Sequence, residues 1–190
     1  MHRKNFNIMT FDRILENNTL WAVRYDDVED NSLRTVFNQW NNPEWLWDFF
    51  EKNISDLESY FKITDLGQAI YDTISDSDEL ECLILDISPN ANLDKYFRPL
   101  ENNRTSDMML GREKAKTEQK NRHASWLRLY AIKLEPKCYI ITGGAIKLTR
   151  TMQEREHTLL ELKKMEHVRN HLIEQGVIDV AGFVEYTNET

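Results

Sequence analysis

The stretch SWLRLYAIKLEPKCYIITGGAIKLTRTMQEREHTLLELKKM, Ser125 to Met165, decides the fold. Trp126, Leu127, Leu129, Tyr130, Ile132 and Leu134 form a mostly apolar run interrupted by Arg128 and Lys133, which reads as a strand. Glu135-Pro136-Lys137 is a turn, and CYIITGGAIKLT is a second strand. The pair therefore reads as a hairpin of residues 125–134 and 138–149. Gly143-Gly144 inside a strand marks a bulge or a close approach of another backbone. The basic connection RTMQER then leads into a helix with two capping-box starts, Thr151 with Glu154 and Thr158 with Glu161. Leu159, Leu162, Met165 and Leu172 give that helix an apolar stripe, and Gly176 is its expected stop.

Towards the N-terminus, Leu20 to Tyr25 alternates apolar and polar residues as a half-buried strand does, and it needs a partner edge in the same sheet. Asn31 or Ser32 can cap a helix through LRTVFNQW, and Pro43 suits the first turn of a second helix, EWLWDFFEKN. Thr64 can cap a helix through ITDLGQAIYDTI, and Asp76 or Ser77 can start another through ELECLILDI, although CLILDI fits a short buried strand equally well. LDKYFRPLE reads as one or two helical turns. Residues 102–124 read as a surface loop or a poorly packed helix over GREKAKTEQKNRH. Trp40, Trp45, Trp47, Phe49 and Phe50 fall within eleven residues; among acidic and amide neighbours they suit an aromatic mini-core better than a base-stacking platform. The expected fold is α+β, an antiparallel sheet with helices covering one face. One domain over residues 1–190 is expected, with two tightly associated halves as the variant.

Charge divides the chain. Residues 1–100 carry 9 Lys+Arg against 19 Asp+Glu, residues 101–170 carry 15 against 9, and residues 171–190 carry 0 against 4. An acidic N-terminal half thus precedes a basic part at about 101–175, and such asymmetry is the footprint of an anionic partner. No apolar run approaches the ~20 residues of a membrane span, so no membrane partner is expected. MHRKNFNIMTFDRILENN lacks the apolar centre of a signal peptide, and Cys82 and Cys138 read as free buried thiols, which together point to the cytoplasm. Phosphate-binding glycine loops, HExxH and GxSxG are absent, so no cofactor and no metal is expected. His167 and His171 stand four apart on the last helix with no third ligand in view, and read as a partly exposed helix face.

The order of parts in the C-terminal half resembles a known family. RPLENN and a charged segment precede the strand WLRLYAI; a short turn, a second strand ending in a lysine, IITGGAIKLT, the basic connection RTMQER and the helix HTLLELKKM follow. Over about residues 96–175 this is similar to the RelE/HigB toxins of bacterial type II toxin–antitoxin systems, especially the phage-like HigB branch. The resemblance implies an mRNA-cleaving ribonuclease, acting on RNA free or on the ribosome, with a small antitoxin protein as partner.

Metal-free RNA cleavage needs a base for the 2′-hydroxyl, cations for the crowded phosphate and an acid for the leaving oxygen. Arg128, Lys147, Arg150, Arg155 and His157 are the candidate catalytic residues. Arg128 shares a strand face with Tyr130 and can hold phosphate in bidentate fashion, and His157 can carry a proton near neutral pH. Against this stands a structural role for Arg150, Arg155 and His157 as loop cations and a helix-start flank. Lys114, Lys116, Lys120 and Arg122 read as a solvated face. The alternative function is a non-catalytic interaction protein using the same basic strand and loop for a protein partner, or a patch covered internally by the acidic half.

Overall fold

The computed structural model describes residues 9–101, 110–118 and 123–189. Its centre is a six-stranded sheet in the order β1-β2-β6-β5-β4-β3. The strands are β1 (Met9–Arg13), β2 (Leu20–Tyr25), β3 (Phe97–Pro99), β4 (Gly111–Ala115), β5 (Leu127–Glu135) and β6 (Cys138–Ile146). The expected hairpin is present as β5–β6, and β2 joins the same sheet. The sheet is mixed where a wholly antiparallel one was expected, because β2 runs parallel to β6 while every other neighbour is antiparallel.

Helices cover both faces, where one covered face was expected. Leu127, Leu129 and Ala131 of β5 point into one core with α1 (Ser32–Trp40), α2 (Pro43–Lys52) and α4 (Leu66–Ile84). Tyr130, Ile132 and Leu134 point into a second core with α5 (Glu156–Glu174) and α6 (Val180–Glu189). Both sets of side chains on β5 and β6 are therefore buried, as the nearly unbroken apolar runs of a doubly covered sheet require.

Local chemistry explains most element ends. The Asn31 side chain accepts from the Arg34 amide to open α1, and Asn42 accepts from the Glu44 and Trp45 amides ahead of Pro43 to open α2. A single turn, α3 (Ile54–Asp56), and a π-helical turn over Leu57–Phe61 follow. Asp65, not Thr64, caps α4, which continues unbroken through Asp76 and Ser77. Those two residues do not start a second helix, because both are buried and bonded elsewhere. Asp76 accepts from the Thr117 and Ser125 hydroxyls, and Ser77 Oγ accepts from Asn41.

Residues 97–99 form a strand where a helical turn was expected, and 111–115 form a strand where a loop or helix was expected. In β4 Glu113 and Ala115 turn inward to the first core while Arg112 and Lys114 turn to the other face, so the period of two wins over helical propensity. Lys120 and Arg122 lie outside the described residues. The capping box at Thr151 and Glu154 opens a 3-10 turn, Met152–Glu154, and α5 proper starts at Glu156. Thr158 does not cap; its hydroxyl donates back to Met152 O at 2.6 Å. Gly176 follows the end of α5 at a left-handed φ of 72°. Trp40 and Phe50 are buried in the first core, Trp45 and Phe49 stack beside it, and Trp47 is exposed. Of the two cysteines Cys138 is buried, whereas Cys82 is exposed on α4. No helix among the described residues is long and apolar enough to cross a membrane.

Candidate functional site

On the α5 side of the sheet, α5 reaches β4 at Arg112 and the preceding Leu110, through Glu166 and Arg169. A cleft of about 640 Å³ opens there, walled by Leu162 of α5 and the 3-10 turn. Its floor is a cross-strand row in which Arg98 of β3 faces Lys114 of β4, and Lys114 faces Tyr130 of β5. Arg128, Lys147 and Arg150 complete the cationic lining with Arg112 and Lys116, and Glu101 is the one carboxylate among the lining residues. Like charges directly opposite on neighbouring strands oppose sheet stability, so the Arg98–Lys114 pair is a feature that packing alone does not select.

The cations are held by backbone rather than neutralised. Arg128 Nη1 donates to Ser125 O and Leu127 O, both at 2.7 Å. Lys114 Nζ donates to Leu100 O at 3.1 Å, and Lys147 Nζ donates to Thr149 O at 2.7 Å and Arg150 O at 2.5 Å. Among the described residues Arg112 meets acids, pairing with Glu101 at 2.8 Å and with Glu166. Among the described residues no carboxylate forms an ion pair with Lys114, Arg128 or Lys147, although Asp76 of the acidic half lies near enough to attract Arg128.

Burial and mutual repulsion shape their acidity. Lys114 is driven below the usual lysine range by burial and by the nearby Arg128 and Lys116 charges. Lys147 is lowered for the same reasons, burial first and then Arg128 and Lys114. The Tyr130 hydroxyl is fully buried and makes no hydrogen bond among the described residues. Burial holds its proton on, despite the pull of Arg128. The cations that line the cleft, Arg98, Lys114, Lys116, Arg128, Lys147 and Arg150, suit an anionic ligand.

Three of the five candidate catalytic residues, Arg128, Lys147 and Arg150, line this cleft. Arg155 and His157 do not. Arg155 Nε and Nη2 donate to the two oxygens of the buried Asp56 at 2.7 and 2.5 Å, tying the start of α5 to α3. His157 lies on the opposite flank of α5. Its Nε2 is 2.9 Å from Ile146 O, and its ring meets Phe49 edge-on at 5.3 Å. Both are drawn off by partners from the N-terminal half that a linear reading cannot supply. Conversely, Arg98, Arg112, Lys114 and Lys116 enter the site once 97–99 and 111–115 are strands. The signal was the alternation Arg112-x-Lys114-x-Lys116, which places cations on one face of an extended chain.

No protein-family model, curated protein or solved structure matches this chain.

Proposed function

We propose that the cleft takes the phosphodiester backbone of RNA, and that the chain is a toxin-like ribonuclease similar to the RelE/HigB proteins. In this reading it acts on mRNA in the cytoplasm and is restrained by a small antitoxin protein. The observation that carries the reading is the group of backbone-tethered cations that lines the cleft, unpaired with carboxylates among the described residues. Arg128, with Arg98 and Lys116 of the same lining, holds the non-bridging phosphate oxygens. Lys114 or Lys147, each shifted towards its neutral form, removes the 2′-hydroxyl proton. The 2′-oxygen attacks the adjacent phosphorus, the bond to the 5′-oxygen breaks, and the other lysine, as its ammonium, protonates that oxygen. The products are a 2′,3′-cyclic phosphate and a 5′-hydroxyl.

The second reading, a non-catalytic surface for an acidic protein partner, rests on Arg112, whose pairing with Glu101 and Glu166 shows carboxylates already accepted at the rim. Binding of single-stranded RNA, followed by fluorescence anisotropy across a salt series, separates the two. Three to six phosphate contacts give a slope of log K against log salt of about −2 to −4, and each lost contact reduces it by about 0.7. Lys114→Gln and Lys147→Gln each flatten the slope, abolish cleavage and relieve the growth arrest that expression causes. Absence of RNA binding at low salt, together with harmless expression, refutes the ribonuclease reading.

A further inference from the structure

A second cavity, of about 270 Å³, lies on the other flank of α5. Its position follows from the topology. β2 and β6 are parallel neighbours, paired only from Leu20↔Tyr139 to Ala22↔Ile141. Past their carboxyl ends the chain turns to opposite faces: α1 packs its Val36 and Trp40 on the first core, and α5 packs its Met165 and Val168 on the second. Two parallel strands whose following helices diverge in this way open a crevice between them, the usual place for a ligand in such sheets.

The crevice exposes the β6 edge that β2 has left, and side chains satisfy it. Tyr25 Oη donates to Thr142 O at 2.7 Å, and His157 Nε2 reaches Ile146 O. At the centre stand Gly143 and Gly144. A Cβ on Gly144 would lie 2.9 Å from Val36 and 3.0 Å from Trp40, and one on Gly143 would lie 2.0 Å from Glu161 Oε2. Glycine is therefore required here for α1 and α5 to close on the strand from either side.

Glu161 is the informative group. It is 6% exposed; its Oε1 accepts from Lys164 Nζ at 2.7 Å and the Gly144 N–H lies close enough to favour the carboxylate, while Oε2, also buried, has no well-aligned hydrogen-bond donor among the described residues. An acceptor left so in a cavity costs free energy until a donor meets it. Trp40, Trp45 and Phe49 give the same cavity aromatic walls, with Trp45 and Phe49 stacked at 14°. The charged lining is mixed, Asp30 and Glu161 against Lys164, which disfavours a phosphorylated ligand. The volume falls just under the ~300–1,000 Å³ of drug-sized sites, which suits a base or nucleoside.

We infer that this crevice binds a neutral planar heterocycle with adjacent N–H donors, of the guanine type, stacked on the aromatic wall and donating to Glu161 Oε2 and to the second lone pair of Oε1, which it shares with Lys164. The site is independent of the cationic cleft, because its ligand carries no phosphate. The probe is guanosine, titrated into the full chain with intrinsic tryptophan fluorescence and the melting temperature as readouts; adenosine and cytidine are the comparators. Guanosine is expected to quench saturably and to raise the melting temperature. Adenosine and cytidine bind at least tenfold more weakly, since neither presents two adjacent donors on its pairing edge. Glu161→Gln, which removes the charge but keeps the size, weakens guanosine at least tenfold while its own melt stays cooperative. Should that variant not fold, Lys164→Met serves in its place and changes guanosine affinity. Lys114→Gln, in the other cleft, leaves guanosine binding unchanged. The inference is overturned if guanosine has no effect at millimolar concentration on the native chain, if the three nucleosides bind alike, or if the folded Glu161 variant binds as the native chain does.

Discussion

Replacing His157 with alanine is expected to weaken the fold and leave the proposed RNA binding intact. The imidazole donates from Nε2 to Ile146 O at 2.9 Å, in a part-buried setting, and it packs edge-on against Phe49 at 5.3 Å and 87°. The donor role follows from the acceptor it meets, since a carbonyl can only accept. Loss of that hydrogen bond costs about 1 kcal/mol, and loss of the aromatic contact costs a further ~0.5–1.5 kcal/mol. The sum is about 2 kcal/mol. For a chain of this length each kcal/mol shifts the melting temperature by roughly 2–4 °C, so a fall of about 4–8 °C is expected. Circular dichroism melts measure it, and anisotropy on the same preparation measures RNA affinity, which should stay within about twofold. His157→Gln keeps a donor near Ile146 O and should recover part of the loss. An unchanged melt with abolished RNA cleavage would refute the structural role and return His157 to the chemistry.

Two further expectations test other parts of the fold. Burial pushes Glu113 up to about 7, against the pull of Lys133, from an ordinary value of 4.5. Its stabilising contribution is then complete below about pH 4.5 and is lost as pH rises through 7. Urea midpoints of the native chain should fall between pH 5 and 8, and Glu113→Gln should flatten that fall; equal pH dependence in both proteins contradicts the assignment. Gly143→Ala puts a methyl group 2.0 Å from Glu161 Oε2 and should lower stability by about 1–3 kcal/mol in urea titration. A loss under ~0.5 kcal/mol means that Glu161 moves aside freely.

The parts legible in the sequence are those governed by short-range chemistry. The hairpin, the strand at 20–25, the caps at Asn31 and Thr151 and the dual meaning of Gly143-Gly144 all follow from residues within one turn or one strand of each other. β6 is in fact both bulged, with a register shift beyond Tyr130, and closely approached. What escaped was tertiary. The parallel β2–β6 pairing depends on contacts between distant segments, and α6 and β1 carry too weak a period to stand out. β4 was hidden because its solvent-side positions are lysine and arginine, good helix formers, while its inward positions are only Glu113 and Ala115. The candidate site was half legible for the same reason. Arg128 and Lys147 sit on strands whose faces can be counted, whereas Arg155 is claimed by Asp56, 99 residues earlier.

The β2–β6 pairing also sets a timetable for biosynthesis. Tyr25 bonds to Thr142, 117 residues later, and α1 closes on Gly144 of the same strand. At a synthesis rate of ~5–20 residues per second, Tyr25 waits roughly 6 to 23 s for Thr142. During that interval Leu33, Val36, Phe37 and Trp40, all buried in the finished protein, have only β1 and β2 of the sheet to rest on. Contacts of such long sequence separation also slow folding after release. The emerging N-terminal half thus carries an apolar helix face together with a net negative charge before β5 and β6 exist to cover that face.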